Sequence, residues 1–154
     1  MEKTIEWIKE NNCSRMVDQT IIPHEYKKID IKTSKDMYDA IKTMIVRGAP
    51  AIGIAGAHGV CLGAIESKNE QDFIKKTKEI AQYINSSRPT AVNLSWAIKS
   101  QLEILENNSQ KTPEEIIELL VENAIKLENE DIEINKKIGD YGATVIPKGA
   151  TIQT

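Results

Sequence analysis

The sequence predicts an α+β fold, mostly helical: short antiparallel N-terminal strands, then a helical bundle with a long C-terminal helix. Three observations predict it. Apolar residues alternate singly through parts of the first thirty-odd positions, the spacing lengthens to three and four from Thr33 onward, and Thr112-Pro113-Glu114-Glu115 opens the longest apolar stripe.

Each element follows from its own pattern. Ile5 and Trp7 alternate with Glu6, and Ile29 and Ile31 with Lys28, Asp30 and Lys32, which is the period of a half-buried strand. Arg15–Thr20 supplies a third strand ahead of the turn at Pro23-His24. Tyr38, Ile41, Met44 and Ile45 share one face of a first helix, which Thr33 and Asp36 can cap and which should end near Val46. A second helix should begin at Pro50, because a first-turn proline lacks only an N–H that would have gone unpaired. The third spans Gln71–Ile84 and the fourth Thr90–Leu105, with Trp96 read as a core residue. Thr112 and Glu115 form a capping box for the fifth, whose stripe runs Ile117, Leu120, Ala124, Leu127, Ile134 and Ile138 before Gly139 stops it. Its acidic side, which includes Glu128, reads as a solvated face. Ala143–Ile146 and Ala150–Thr154 read as strand-like, with a turn at Pro147-Lys148-Gly149 between them.

Composition narrows the class. The chain has 154 residues, 40% apolar and 28% charged, which is enough for one self-sufficient core. Twenty basic against 23 acidic side chains leave a net charge of −3, contrary to the basic excess of a nucleic-acid sleeve. Cys13 and Cys61 cannot form a disulfide framework and suit a reducing, cytoplasmic compartment. The N-terminus lacks the apolar run of a secretory signal. Residues 49–65 carry no formal charge, but they are small and interrupted by His58, so a buried helix of a soluble chain is expected rather than a membrane span.

Two stretches point to chemistry. In Val46-Arg47-Gly48-Ala49-Pro50 an arginine and a glycine stand at a helix start, where unpaired N–H groups and the positive dipole end favour an anion. The glycine carries no Cβ to hold a ligand away, and the guanidinium grips an oxyanion with a planar fork. Ser87-Arg88-Pro89-Thr90 repeats the arrangement, and the two arginines could converge on one phosphate. The glycines at 53, 56, 59 and 63 are spaced G-x-x-G-x-x-G, not as a dinucleotide fingerprint, and imply close helix packing. His58 reads as a packed, hydrogen-bonded core histidine and Cys61 as a buried, inert thiol. Neither histidine has a metal-spaced partner and no nucleophile–base pair is visible, so no metal, cofactor or catalytic residue is expected in these residues.

Val17-Asp18-Gln19-Thr20 with Pro23, Met44 to Gly53 (MIVRGAPAIG), Ser87 to Leu94 (SRPTAVNL) with Trp96, and Ile138 to Ala143 with Ile146-Pro147 together resemble the methylthioribose-1-phosphate isomerases. These belong to the translation initiation factor 2B-related superfamily. The resemblance implies a cofactor-free aldose–ketose isomerase that converts 5-methylthioribose 1-phosphate to 5-methylthioribulose 1-phosphate in methionine salvage. Arg47, Gly48, Ala49 and Arg88 would then be substrate-binding residues. It implies an N-terminal α+β domain over 1–111, a connecting helix over 112–139, and a stub at 140–154 leading to a Rossmann-like domain. The family's catalytic cysteine and acid/base aspartate match no residue here, and His58 stands where many relatives have tyrosine.

Expected partners are therefore a sugar phosphate and either a second copy of the chain or a C-terminal half, with neither nucleic acid nor membrane. Alternatives are a non-catalytic regulatory module of the same superfamily and part of a ribose-1,5-bisphosphate isomerase. The stripe of the fifth helix also predicts an exposed apolar patch that promotes self-association.

Overall fold

A computed structural model describes residues 3–153. Strands β1 (Ile5–Ile8), β2 (Cys13–Val17) and β3 (Lys28–Ile31) form an antiparallel sheet in the order β1-β2-β3. Ile5 pairs with Met16 and Trp7 with Ser14, so the inward side chains of β1 and β2 lie on one buried face. Helices α1 (Ser34–Lys42), α2 (Ala49–Glu66), α3 (Phe73–Asn85), α4 (Val92–Asn107) and α5 (Pro113–Val145) follow, giving the mostly helical α+β architecture that the residue spacing implies.

The apolar helix α2 is the hub. It touches the other four helices and both β1 and β2, and Ile52 to Ala64 are all buried. By length and composition it could cross a membrane, but 72% of it is enclosed by the rest of the protein. Its four glycines explain how neighbours come so near. A Cβ on Gly56 would fall 2.5 Å from Leu94 of α4, one on Gly59 2.6 Å from Ile84 of α3, and one on Gly63 2.5 Å from Ile80 of α3. Each helical glycine costs about 1 kcal/mol against alanine, a loss offset by the dense contacts that this approach permits.

Several boundaries differ from the sequence reading, each for a physical reason. β2 covers Cys13–Val17 rather than 15–20, because the Asp18 carboxylate accepts hydrogen bonds from the Thr20 N–H (2.9 Å) and hydroxyl (2.6 Å), turning the chain out of the sheet. α1 ends at Lys42, not Val46. Met44 adopts φ 64° and the Ile45 N–H bonds back to the Ala40 carbonyl at 2.9 Å, closing the helix without the usual glycine. α2 starts one residue before Pro50, and α4 starts at Val92, two residues after Thr90.

The largest correction concerns α5, which runs through Gly139 to Val145, so Ala143–Val145 is its last turn and not a strand. Neither Gly139 nor Gly142 has anything near its Cβ position, and both have helical neighbours. A single helical glycine costs too little to break an established helix. Residues 150–153 form no strand, and Thr154 lies outside the described residues.

Candidate functional site

Gly48 is the N-cap of α2 and adopts φ 90°, ψ 130°, a conformation that glycine tolerates and other residues resist. A Cβ there would meet nothing within 4 Å, so the glycine serves the turn and leaves open space above it. Arg47, just before the cap, is exposed, and its Nε donates to the Met44 carbonyl at 3.1 Å. On the second strut, Pro89 follows Arg88, the Ala91 N–H bonds to the Arg88 carbonyl at 3.0 Å, and α4 begins with Ala91 as N-cap.

These two starts meet. Arg47, Gly48, Ala49 and Arg88 line one hollow of about 480 Å³ together with Thr90 and Asn93. All four residues expected to bind substrate from the family resemblance are thus in one place. α2, α3 and α4 have no side-chain cap on the first turn, whereas α1 is capped by Thr33 and α5 by Thr112; of the three, α2 and α4 begin at this hollow. The first-turn N–H groups of a helix have no partner within it. Two positive dipole ends and two permanent cations around one opening suit a phosphate.

Asn93 and Trp96 are not among the residues that the sequence pattern assigns to a site. Trp96, expected in the core, is 57% exposed, because α4 turns Leu94, Ala97 and Ile98 inward instead. Trp96, Pro50, Gly53, Ile54, Asn93, Leu127, Glu130, Asp131 and Ile134 line a second cavity of about 230 Å³. Asn93 belongs to both openings. The signal available in the sequence was that Asn93 and Trp96 lie three apart on α4, hence on one face.

A separate polar cluster runs from the interior to the partly exposed Lys3. The Ser14 hydroxyl lies 2.7 Å from His58 Nδ1, and His58 Nε2 lies 3.0 Å from Glu128 Oε1. The Trp7 backbone N–H donates to the same Glu128 oxygen at 2.8 Å, while Lys3 reaches Oε2 at 3.3 Å. His58 is therefore the packed, hydrogen-bonded histidine expected of it. Glu128 corrects the view of α5's acidic side as wholly solvated: only 3% of it is exposed. A serine, a histidine and a carboxylate in line resemble a hydrolase relay, but Ser14 and His58 are both fully buried and reach no substrate.

Neither thiol is a candidate nucleophile. Burial is the main cause that pushes the Cys13 and Cys61 thiols up from their ordinary values, so both are protonated at neutral pH. Among the described residues no group of three or more His, Cys, Asp or Glu side chains is arranged to hold a metal.

The chain is 44% identical over 146 residues to the methylthioribose-1-phosphate isomerase of Trichormus variabilis, covering 94% of this chain and 42% of that protein. It is 43% identical over 152 residues to the 5-deoxyribose 1-phosphate isomerase of Clostridium botulinum strain Loch Maree, covering 97% and 44%. The chain thus spans less than half the length of these relatives.

The crystal structure of 5-methylthioribose 1-phosphate isomerase from Pyrococcus horikoshii superposes with a TM-score of 0.90 at 36% identity, over 97% of this chain and 42% of that one. The structure of translation initiation factor eIF-2B subunit delta from A. fulgidus gives 0.86 at 35%, over 97% and 43%. The sequence pattern of the Initiation factor 2 subunit family matches residues 45–154, which include both arginine-bearing helix starts, and the chain belongs to that family.

Proposed function

We propose that the chain contributes the phosphate-holding part of a cytoplasmic aldose–ketose isomerase acting on 5-methylthioribose 1-phosphate or a close relative. The observation that carries this reading is the convergence of Arg47 and Arg88 with two helix starts, neither capped by a side chain, on one hollow. The isomerase relatives support the substrate class. Arg47, Gly48, Ala49 and Arg88 bind the phosphate: the guanidiniums supply charge and forked donors, and the backbone at Gly48–Ala49 supplies N–H groups and room.

Moving hydrogen between C1 and C2 needs a positioned acid and base. The described residues around the hollow offer cations and amides. We assign the proton-handling groups to a C-terminal half; this chain, organised as 1–111, a connecting helix and a following segment, associates with that half or with a second copy of itself.

Titration of the chain with inorganic phosphate and with 5-methylthioribose 1-phosphate, followed by amide NMR, tests the reading. Shifts should cluster at 47–53 and 88–96. Arg47→Ala and Arg88→Ala should each weaken binding about tenfold or more, the worth of a charge-assisted hydrogen bond. Unchanged affinity in the double variant would overturn it and favour a non-catalytic binding module, the second reading, which the likeness to the initiation-factor subunit supports.

A further inference from the structure

We propose that Met44 is a site of reversible oxidation, and that the sulfoxide formed there by a peroxide weakens anion binding at the hollow beside it. The effect on binding rests on the anion reading above; the modification itself does not.

Access selects the residue. Met16 and Met37 are 1% and 0% exposed, whereas Met44 is 42% exposed. Both thiols, Cys13 and Cys61, are buried. Oxidation of sulfur follows exposure, so among the described residues the Met44 thioether is the sulfur that a peroxide in solution reaches.

Position gives the modification a consequence. Met44 lines the hollow together with Arg47, Gly48 and Arg88. Its carbonyl accepts from Arg47 Nε at 3.1 Å, so its backbone is joined directly to one of the two arginines. Its φ of 64° lies in the left-handed region, which a long side chain occupies at a cost. Glycine would close the same turn more cheaply, so the turn alone does not account for a thioether at this rim.

The chemistry is a two-electron exchange. The sulfur lone pair attacks one oxygen of hydrogen peroxide, an S–O bond forms, the O–O bond breaks, and the second oxygen leaves as water. In the reverse direction a dithiol gives up two electrons and becomes a disulfide, and the sulfoxide oxygen leaves as water; methionine sulfoxide reductases catalyse this, one for each epimer. A thioether is apolar and a weak acceptor, whereas the sulfoxide oxygen is polar and accepts strongly. Arg47 shares the hollow and supplies donors to that oxygen. Donors engaged in this way are withdrawn from an arriving phosphate.

The test treats the intact 154-residue chain with graded hydrogen peroxide, maps it by peptide mass spectrometry and titrates it calorimetrically with inorganic phosphate. Met44 should gain one oxygen at doses that leave Met16 and Met37 unmodified. Phosphate affinity should then fall about threefold to tenfold, the worth of one hydrogen bond. The two reductases with a dithiol should restore it. Met44→Leu keeps an apolar side chain without sulfur, so its affinity should be the same before and after peroxide, whatever its starting value. Met44→Gln sets a carbonyl oxygen on a chain of similar length and should weaken phosphate binding with no peroxide added.

Oxidation of Met16 or Met37 as readily as Met44, or a Met44 sulfoxide that binds phosphate as tightly as the thioether, overturns the proposal. So does a Met44→Leu variant that loses affinity on peroxide treatment as the wild type does, because the sensitive group then lies elsewhere. Phosphate binding that ignores Arg47 and Arg88, measured before any peroxide is added, overturns the hollow itself and with it the control by Met44.

Discussion

The interior cluster around Glu128 and the opening around Arg47 and Arg88 are both dense in polar groups, yet they treat those groups oppositely. Inside, Ser14, His58, the Trp7 backbone N–H and Lys3 are linked through His58 and Glu128, while the buried Trp7 indole N–H has no partner. The start of α5 is complete, with Thr112 and Glu115 satisfying each other's backbone. At the opening, two helix starts lack a side-chain cap and two cations stand beside them. Polar groups that complete one another hold a fold together, whereas those left unanswered around a cavity are positioned for something that arrives.

That contrast can be broken most forcefully at Glu128. Glu128→Ala would leave the Trp7 backbone N–H and His58 buried without their partner and should cost about 2–4 kcal/mol in chemical denaturation. Phosphate affinity of the folded fraction should be unchanged. Arg47→Ala and Arg88→Ala should behave in reverse, with stability within about 0.5 kcal/mol of wild type. A Glu128 variant that keeps full stability, or arginine variants that unfold the chain, would erase the distinction.

A smaller change sharpens it by converting one helix start into the other kind. Ala91, an N-cap with extended backbone, can be replaced by Asp, whose carboxylate would accept from the first turn of α4. Ala91→Asp should stabilise by about 1 kcal/mol in thermal or urea unfolding. The same substitution should weaken phosphate binding, because it occupies the amides and adds a negative charge. A variant that gains stability and binds phosphate as before would separate the cap from the site.

The smallest effect is on acid stability. The backbone N–H and then the hydroxyl of Thr112 hold the Glu115 carboxyl below its ordinary value of 4.5. A lowered folded value stabilises above the unfolded one and is lost as pH falls through the folded range. Unfolding monitored from pH 6 to pH 3 should show the loss below about pH 4.5, reduced in Glu115→Gln. An identical acid profile for wild type and variant would mean that the capping box is not closed in solution.

What the sequence discloses follows locality. The Thr112 capping box, the alternation of Ile5 and Trp7, and the glycine ladder of α2 are written within a few residues, and all three are present as read. The positions of Arg47 and Arg88 beside helix starts were equally readable, but their meeting was not, since the packing of α2 on α4 decides it. In the sequence Glu128 is one more acid among nine on its helix, and only the partners 70 and 121 residues away reveal it as interior. Trp96 misled through composition: a large aromatic is usually enclosed, and nothing local reports that its face of α4 is left uncovered. The run of α5 past Gly139 misled through a stop signal with too little energy behind it.

The length of α5 has a mechanical consequence. Its 33 residues make a rod about 50 Å long, and its last buried contacts are at Leu127 and Glu128. Beyond Asn135 some 10 residues, roughly 15 Å, stand clear as a mast, with Ile138, Tyr141 and Val145 exposed along it. Glu130, Asp131 and Ile134 occupy the foot of that mast. A load applied near the tip acts through a long lever on a short base, and the wall opposite Trp96 is the first part of the molecule to feel it.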